Sequence, residues 1–150
     1  MIILYNNEKH LFYNMDEIMT PRSKIIIVED EIIIALDLKL RLENLGYEVV
    51  HIAFNGEDAL KLAGETNPDL ILMDIQLNGE MDGINVAQQI RNLYNIPFIF
   101  LTGSFEKKLL ERAKQTDPIG FINKPFDESE IQYFIEKAII QKQDLDILNL

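Results

Sequence analysis

The chain is predicted to fold as an open α/β sheet of parallel strands with helices on both faces. Five short apolar runs, rich in β-branched residues, recur along the sequence, each the length of one buried strand. Each is followed by a stretch whose apolar residues return every three or four positions, the period of a helix. Gly, Pro, Asn or Asp punctuates the joins, where the chain has to turn. A succession of five strands alternating with five helices builds a parallel sheet, because each strand must cross over before pairing again.

Residues 1–23 have no sustained periodicity and are read as an extension, partly helical, with Thr20-Pro21-Arg22-Ser23 as the boundary. The domain itself is placed at 24–140. Lys24-Ile25-Ile26-Ile27-Val28 is a continuous β-branched run, hence a buried strand, and Glu29-Asp30-Glu31 follows its carboxyl end. Ile34, Leu38, Leu42 and Leu45 then recur at helical spacing, and Gly46 supplies a left-handed stop. Tyr47 to Ala53 forms the second strand, closed by the turn pair Asn55-Gly56. The second helix runs from about Glu57 to Thr66 with Ala59, Leu60, Leu62 and Ala63 inward, and Asn67-Pro68 breaks it.

The third strand, Leu70-Ile71-Leu72-Met73, is stopped by one carboxylate, Asp74. After the loop Gln76 to Gly83, the third helix carries Ile84, Ala87, Ile90 and Leu93 on one face. Pro97 to Thr102 is the fourth strand. In the fourth helix, roughly Glu106 to Gln115, only Leu109, Leu110 and Ala113 are apolar, a stripe narrow enough for shallow packing or a partner. Asp117-Pro118 turns the chain into the fifth strand, Ile119 to Asn123, with Lys124-Pro125-Phe126 beyond it. Asp127 and Glu130 approximate a capping box for the last helix, whose buried face is Ile131, Phe134, Ile135 and Ala138. Residues 141–150 are read as a frayed end. The alternative is a helix extension used in dimerisation, since Leu145 and Leu148 follow Ala138 and Gln141 at heptad-like spacing.

Composition narrows the function. One hundred and fifty residues suit a single domain, and 47% hydrophobic with 26% charged residues is the mix of a soluble globular protein. With no cysteine, disulfides, thiolate zinc sites and cysteine nucleophiles are excluded. A net charge of −11 argues against a nucleic-acid footprint, which needs clustered Lys and Arg, and suits a site for a cation. No apolar stretch approaches the roughly 20 residues that span a bilayer, and Ile2-Ile3-Leu4-Tyr5 is too short for a signal-peptide core. The expected location is cytoplasmic.

The residues that end the strands are the informative ones. Glu29 and Asp30 end the first strand, Asp74 the third and Thr102 the fourth, while Lys124 follows the fifth. In a parallel sheet these ends share one edge, where open α/β folds place their ligands. Three crowded carboxylates repel unless a cation or protons intervene. Oxygen ligands without Cys or His favour Mg2+. A carboxylate beside Mg2+ can attack phosphorus to give an aspartyl phosphate, while a hydroxyl and a lysine can bind phosphoryl oxygens. Each residue alone has a plainer reading as a loop cap, strand end or surface charge; the set of five is what points to phosphoryl chemistry. His10 and His51 lie outside it, and His51 is expected on a solvent-facing edge strand.

At these residues the chain resembles the receiver domains of two-component response regulators. The matching pieces are Val28-Glu29-Asp30-Glu31, Leu70 to Asp74, Met81-Asp82-Gly83, Phe100-Leu101-Thr102-Gly103 and Lys124-Pro125-Phe126. They stand in the family's order at nearly its spacing over about residues 24 to 140. The resemblance implies a flavodoxin-like, chemotaxis-regulator-like sheet with strand order 2-1-3-4-5. It implies that Asp74 is the phosphoacceptor, Asp30 a direct Mg2+ ligand and Glu29 an acid acting through metal-bound water. The Gln76 backbone carbonyl would be a further ligand. Thr102 would be the switch hydroxyl, Lys124 the phosphate-pairing lysine and Phe121 the switch aromatic, with a cis peptide bond before Pro125.

Departures from the family pattern are Glu29 where Asp is common, a loop after Asp74 about one residue longer and without the usual proline, Gly103 where Ala is common, and Phe121 for Tyr. The stretch Lys114 to Phe121 is similar to receivers associated with sensor histidine kinases. The implied partners are a sensor histidine kinase or phosphotransfer protein as donor, and a protein target on the fourth helix, fifth strand and fifth helix. Homodimerisation is left open, and neither nucleic acid nor membrane is expected as a direct partner. The implied activity is that of a signalling receiver promoting its own phosphorylation and dephosphorylation, not an enzyme acting on other substrates. No output domain is expected, too few residues following the fifth helix. Two competitors are a phosphatase of the haloacid-dehalogenase type and a receiver-like binding module independent of phosphorylation. The phosphatase would want a second acid two residues after Asp74, where Gln76 stands.

Overall fold

The computed structural model describes residues 22–148, together with the backbone of an antiparallel ribbon pairing Leu4–Asn6 with Lys9–Leu11. The ribbon is extended structure within the stretch expected to be partly helical; the rest of that expectation falls outside the described residues. From Lys24 onward strands and helices alternate: β1 (Lys24–Val28), α1 (Ile32–Asn44), β2 (Glu48–Ala53), α2 (Gly56–Thr66), β3 (Leu70–Asp74), α3 (Gly83–Tyr94), β4 (Phe98–Thr102), α4 (Lys107–Lys114), β5 (Gly120–Asn123) and α5 (Glu128–Leu148). All five strands are parallel in the order 2-1-3-4-5.

The period of two along each buried strand divides the core. Ile26, Val28, Ile71, Met73, Phe98 and Phe100 face α2, α3 and α4. Ile25, Ile27, Leu70, Leu72, Ile99 and Leu101 face α1 and α5. Every residue of β1 after Lys24, of β3 and of β4 is buried, and each large aliphatic side chain removed from water contributes about 2 kcal/mol. Both faces of the sheet are thus apolar, and the polar residues of these strands collect at the ends.

Three local expectations are corrected. Leu93 is 64% exposed, and Val86 takes its place in the core with Ile84, Ala87 and Ile90. The reason is α2, which packs beside α3: a Cβ at Gly56 would stand 2.7 Å from Val86, and one at Gly64 2.6 Å from the Tyr94 hydroxyl. Those two glycines admit the Val86 and Tyr94 side of α3 and turn Leu93 outward. Glu130 forms no capping box; its Oε1 accepts the Asn123 N–H at 2.9 Å, so it secures the end of β5 instead. Asp127 alone caps α5, accepting the Ser129 N–H at 3.0 Å. Of the two readings of residues 141–150, the described part is helical to Leu148 rather than frayed, and Lys142 anchors it to Asp69 at the start of β3.

Candidate functional site

Register brings the strand ends together. Val28 pairs with Met73, Met73 with Phe100, and Phe100 with Phe121, so the residues following these positions rise on one edge. Glu29 is fully buried and Asp74 4% exposed, while Asp30 is half-buried. Their carboxylate oxygens lie within 4.8 Å of one another. Lys124, delivered by the turn after β5, reaches into this group: its Nζ is 2.7 Å from Glu29 Oε2 and 3.3 Å from Asp74 Oδ2. The peptide bond between Lys124 and Pro125 is cis.

The electrostatics follow from burial and crowding. Burial pushes the Glu29 carboxyl up, the Lys124 hydrogen bond pulls it partly back and the Asp74 charge raises it again, to about 7. For Lys124, burial disfavours the ammonium, yet the Glu29 hydrogen bond and the charges of Asp74 and Glu29 outweigh it and hold the group above its ordinary range. One ammonium thus serves two carboxylates, and burial makes Glu29 easier to protonate than an ordinary carboxyl group. An all-oxygen donor set this crowded fits a hard divalent cation such as Mg2+.

Backbone N–H groups complete the frame. Gln76 N–H donates to Asp74 Oδ1 at 3.0 Å, Glu31 N–H to Glu29 Oε1 at 3.2 Å, and Asn78 N–H to Asp30 Oδ2 at 2.9 Å. For Gln76 it is this N–H whose contact is defined; its carbonyl keeps the role only as an expectation. The loop after Asp74 is seated by buried Ile75 and Leu77 and turns at Gly79, where φ is +116°. Asp82 caps α3 by accepting the Asn85 N–H at 2.9 Å. Gly83 permits the closest approach: a Cβ there would stand 1.8 Å from the Asp74 carbonyl oxygen.

Thr102 and Phe121 are nearby but not joined to the carboxylates. The Thr102 hydroxyl accepts the Ser104 N–H at 3.0 Å and donates to the Ser104 carbonyl at 3.2 Å. Phe121 is half-buried against Phe100, ring centroids 5.7 Å apart. Two contributors escaped the sequence. Asn78 acts through its backbone, and the Asn78-Gly79 turn pair was the only signal for it. Arg112 of α4 donates to Asp82 Oδ2 at 3.0 Å, a pairing across 30 residues with no signature in periodicity. His51 is exposed on edge strand β2, as expected.

The model of the response regulator receiver domain matches residues 25–136, well over half of the chain. The chain belongs to the response regulator receiver family. Transcriptional regulatory protein PdtaR of Mycobacterium tuberculosis is 34% identical over 128 residues, covering 85% of this receiver and 62% of PdtaR. The signal receiver domain of a modulated diguanylate cyclase from Desulfovibrio desulfuricans superposes with a TM-score of 0.78 at 36% identity, over 82% of this chain and 98% of that one. The anti-anti-sigma factor PhyR from Bartonella quintana does so with a TM-score of 0.73 at 28% identity, over 91% of this chain and 55% of that one. This receiver therefore spans a little under two thirds of PdtaR and about half of PhyR. No helix among the described residues is long and apolar enough to cross a membrane.

Proposed function

We propose that this receiver accepts a phosphoryl group on Asp74 from a phosphohistidine of a sensor kinase or phosphotransfer protein, and reports it by changing a protein–protein contact. The observation that carries this reading is the convergence of Glu29, Asp30 and Asp74 within 4.8 Å with Lys124 set between Glu29 and Asp74. Glu29, Asp30, Asp74 and the Gln76 carbonyl would hold Mg2+, which when bound neutralises phosphoryl oxygens and holds them in line. An Asp74 carboxylate oxygen forms the new bond to phosphorus as the phosphorus–nitrogen bond breaks, and the departing imidazole regains a proton from solvent. Lys124 moves its charge from Glu29 to a phosphoryl oxygen. Water later attacks phosphorus, restoring the carboxylate and releasing inorganic phosphate.

The readout starts at Thr102. A phosphoryl oxygen competes with Ser104 for its hydroxyl, and movement of Thr102 toward Asp74 clears space for Phe121 to turn inward. This biases a pre-existing equilibrium on the face made by α4, β5 and α5. The narrow apolar stripe of α4, where Ala113 alone is fully buried, suits such a mobile reporter. On the donor side, Ile32, Ile33, Leu36 and Leu40 form an exposed apolar stripe on α1 beginning directly beside the site. That stripe suits a helical donor surface. The anti-anti-sigma factor among the structural relatives fits a protein recipient, and the net charge of −11 disfavours direct contact of this chain with DNA. The reaction set lacks a general acid at position 76, which disfavours turnover of phosphomonoesters. This reading implies a cytoplasmic location, shared with the donor.

The test is incubation with Mg2+ and a small phosphodonor, followed by intact mass measurement. The expected result is one base-labile phosphate on the wild type and none on Asp74→Asn. No adduct on folded wild type, together with no Mg2+-dependent binding of beryllofluoride, would falsify the reading.

A further inference from the structure

The inner stripe of α5 makes its last fully buried contact at Ala138, yet the helix continues to Leu148. At 1.5 Å per residue this is an overhang of about 15 Å. On the outer face of α5, Tyr133, Ile140 and Ile147 recur every seven residues and are 62%, 56% and 65% exposed. Seven residues return a helix to within about 20° of the same direction, so the three line one stripe. Tyr133 is braced edge-on by Phe134, centroids 5.0 Å apart. Lys137 and Asp144 stand within the same stripe, both exposed, and neither takes part in an ion pair among the described residues.

We infer that this face is a two-fold interface on which α5 of a second copy packs antiparallel. A two-fold axis at Ile140 sets Ile140 against its counterpart and Tyr133 of each copy against Ile147 of the other. Lys137 lies three residues before the axis and Asp144 four after it, so each lysine reaches the other copy's aspartate with an offset of about 1.5 Å. The interface is self-complementary, as a closed dimer requires. Charge decides the direction: a parallel pairing would set Lys137 against Lys137 and Asp144 against Asp144, which repel. Lys142, bonded to Asp69 on the inner side of the overhang, holds the helix end in line with the domain. The interface does not depend on phosphoryl transfer, and it adjoins the α4, β5 and α5 face.

Sedimentation equilibrium of the 150-residue chain tests this. The expected result is a dimer for the wild type. Lys137→Asp and Asp144→Lys should each weaken it roughly tenfold or more, since each leaves like charges facing. An equimolar mixture of the two variants, and the chain carrying both changes, should regain wild-type association. All the substituted side chains are exposed, and circular dichroism checks that the fold is kept. A wild type that stays monomeric into the high micromolar range overturns the inference. So does a dimer indifferent to both charge reversals, or one in which the mixture fails to recover.

Discussion

Glu29 shows how one residue couples stability to the site. Its folded pKa of about 7 lies above the ordinary 4.5, so between these values the folded chain binds more protons than the unfolded one. Its contribution therefore becomes less favourable as pH rises through that window, while the raised pKa of Lys124 keeps that group's stabilisation in place throughout. In Glu29→Gln, urea denaturation from pH 4.5 to 8 without divalent ions should show a flatter pH dependence than wild type; an unchanged slope refutes the assignment. Gly83 is a stricter case, because its missing Cβ leaves room for backbone that cannot move aside. Gly83→Ala sets a methyl group 1.8 Å from the Asp74 carbonyl oxygen, and should cost roughly 3 kcal/mol or more, read as a fall in Tm. A Gly83→Ala variant melting at the wild-type temperature would refute this.

At the level of elements, α4 is the weakly held one. Its core contacts are Ala113 with half-buried Leu109 and Leu110, and Arg112 to Asp82 is its tie to the loop that follows Asp74. The pair is largely exposed, so Arg112→Ala should change global stability by no more than about 1 kcal/mol. It should nonetheless speed amide exchange across Lys107–Lys114, since local opening depends on few contacts. Equal exchange in the two proteins would show that the tie does not restrain the helix. The same scale explains what periodicity left out. It identified the inward positions of α3 but set Leu93 among them, because it treats a helix as packing on the sheet alone. Only the presence of α2, opened by Gly56 and Gly64, selects Val86 and Tyr94.

For the whole molecule, a net charge of −11 makes the folded state self-repelling. Monovalent salt relieves part of that repulsion without regard to site. Mg2+ should do more: at ten times its dissociation constant, one bound ion stabilises by about 1.4 kcal/mol, raising Tm by roughly 3–5 °C beyond KCl of equal ionic strength. Asp30→Asn should abolish the excess and keep the general salt effect. If both salts act alike on the wild type, the acidic edge is not a cation site.

The succession of strands and helices was determined by the sequence itself, because apolar spacing reports whether an element repeats every two or every 3.6 residues. Residue chemistry at the strand ends likewise marks Glu29, Asp30, Asp74, Thr102 and Lys124. What the tertiary structure decided was adjacency. The pairing of β1 with β3 brings Glu29 and Asp30 to Asp74, and the turn after β5 carries Lys124 across 95 residues to Glu29. Glu130 likewise left its expected cap for Asn123, since a strand end supplies a backbone donor that helix spacing cannot reveal. Periodicity tells each element which side is inward; only packing settles which neighbour it meets there.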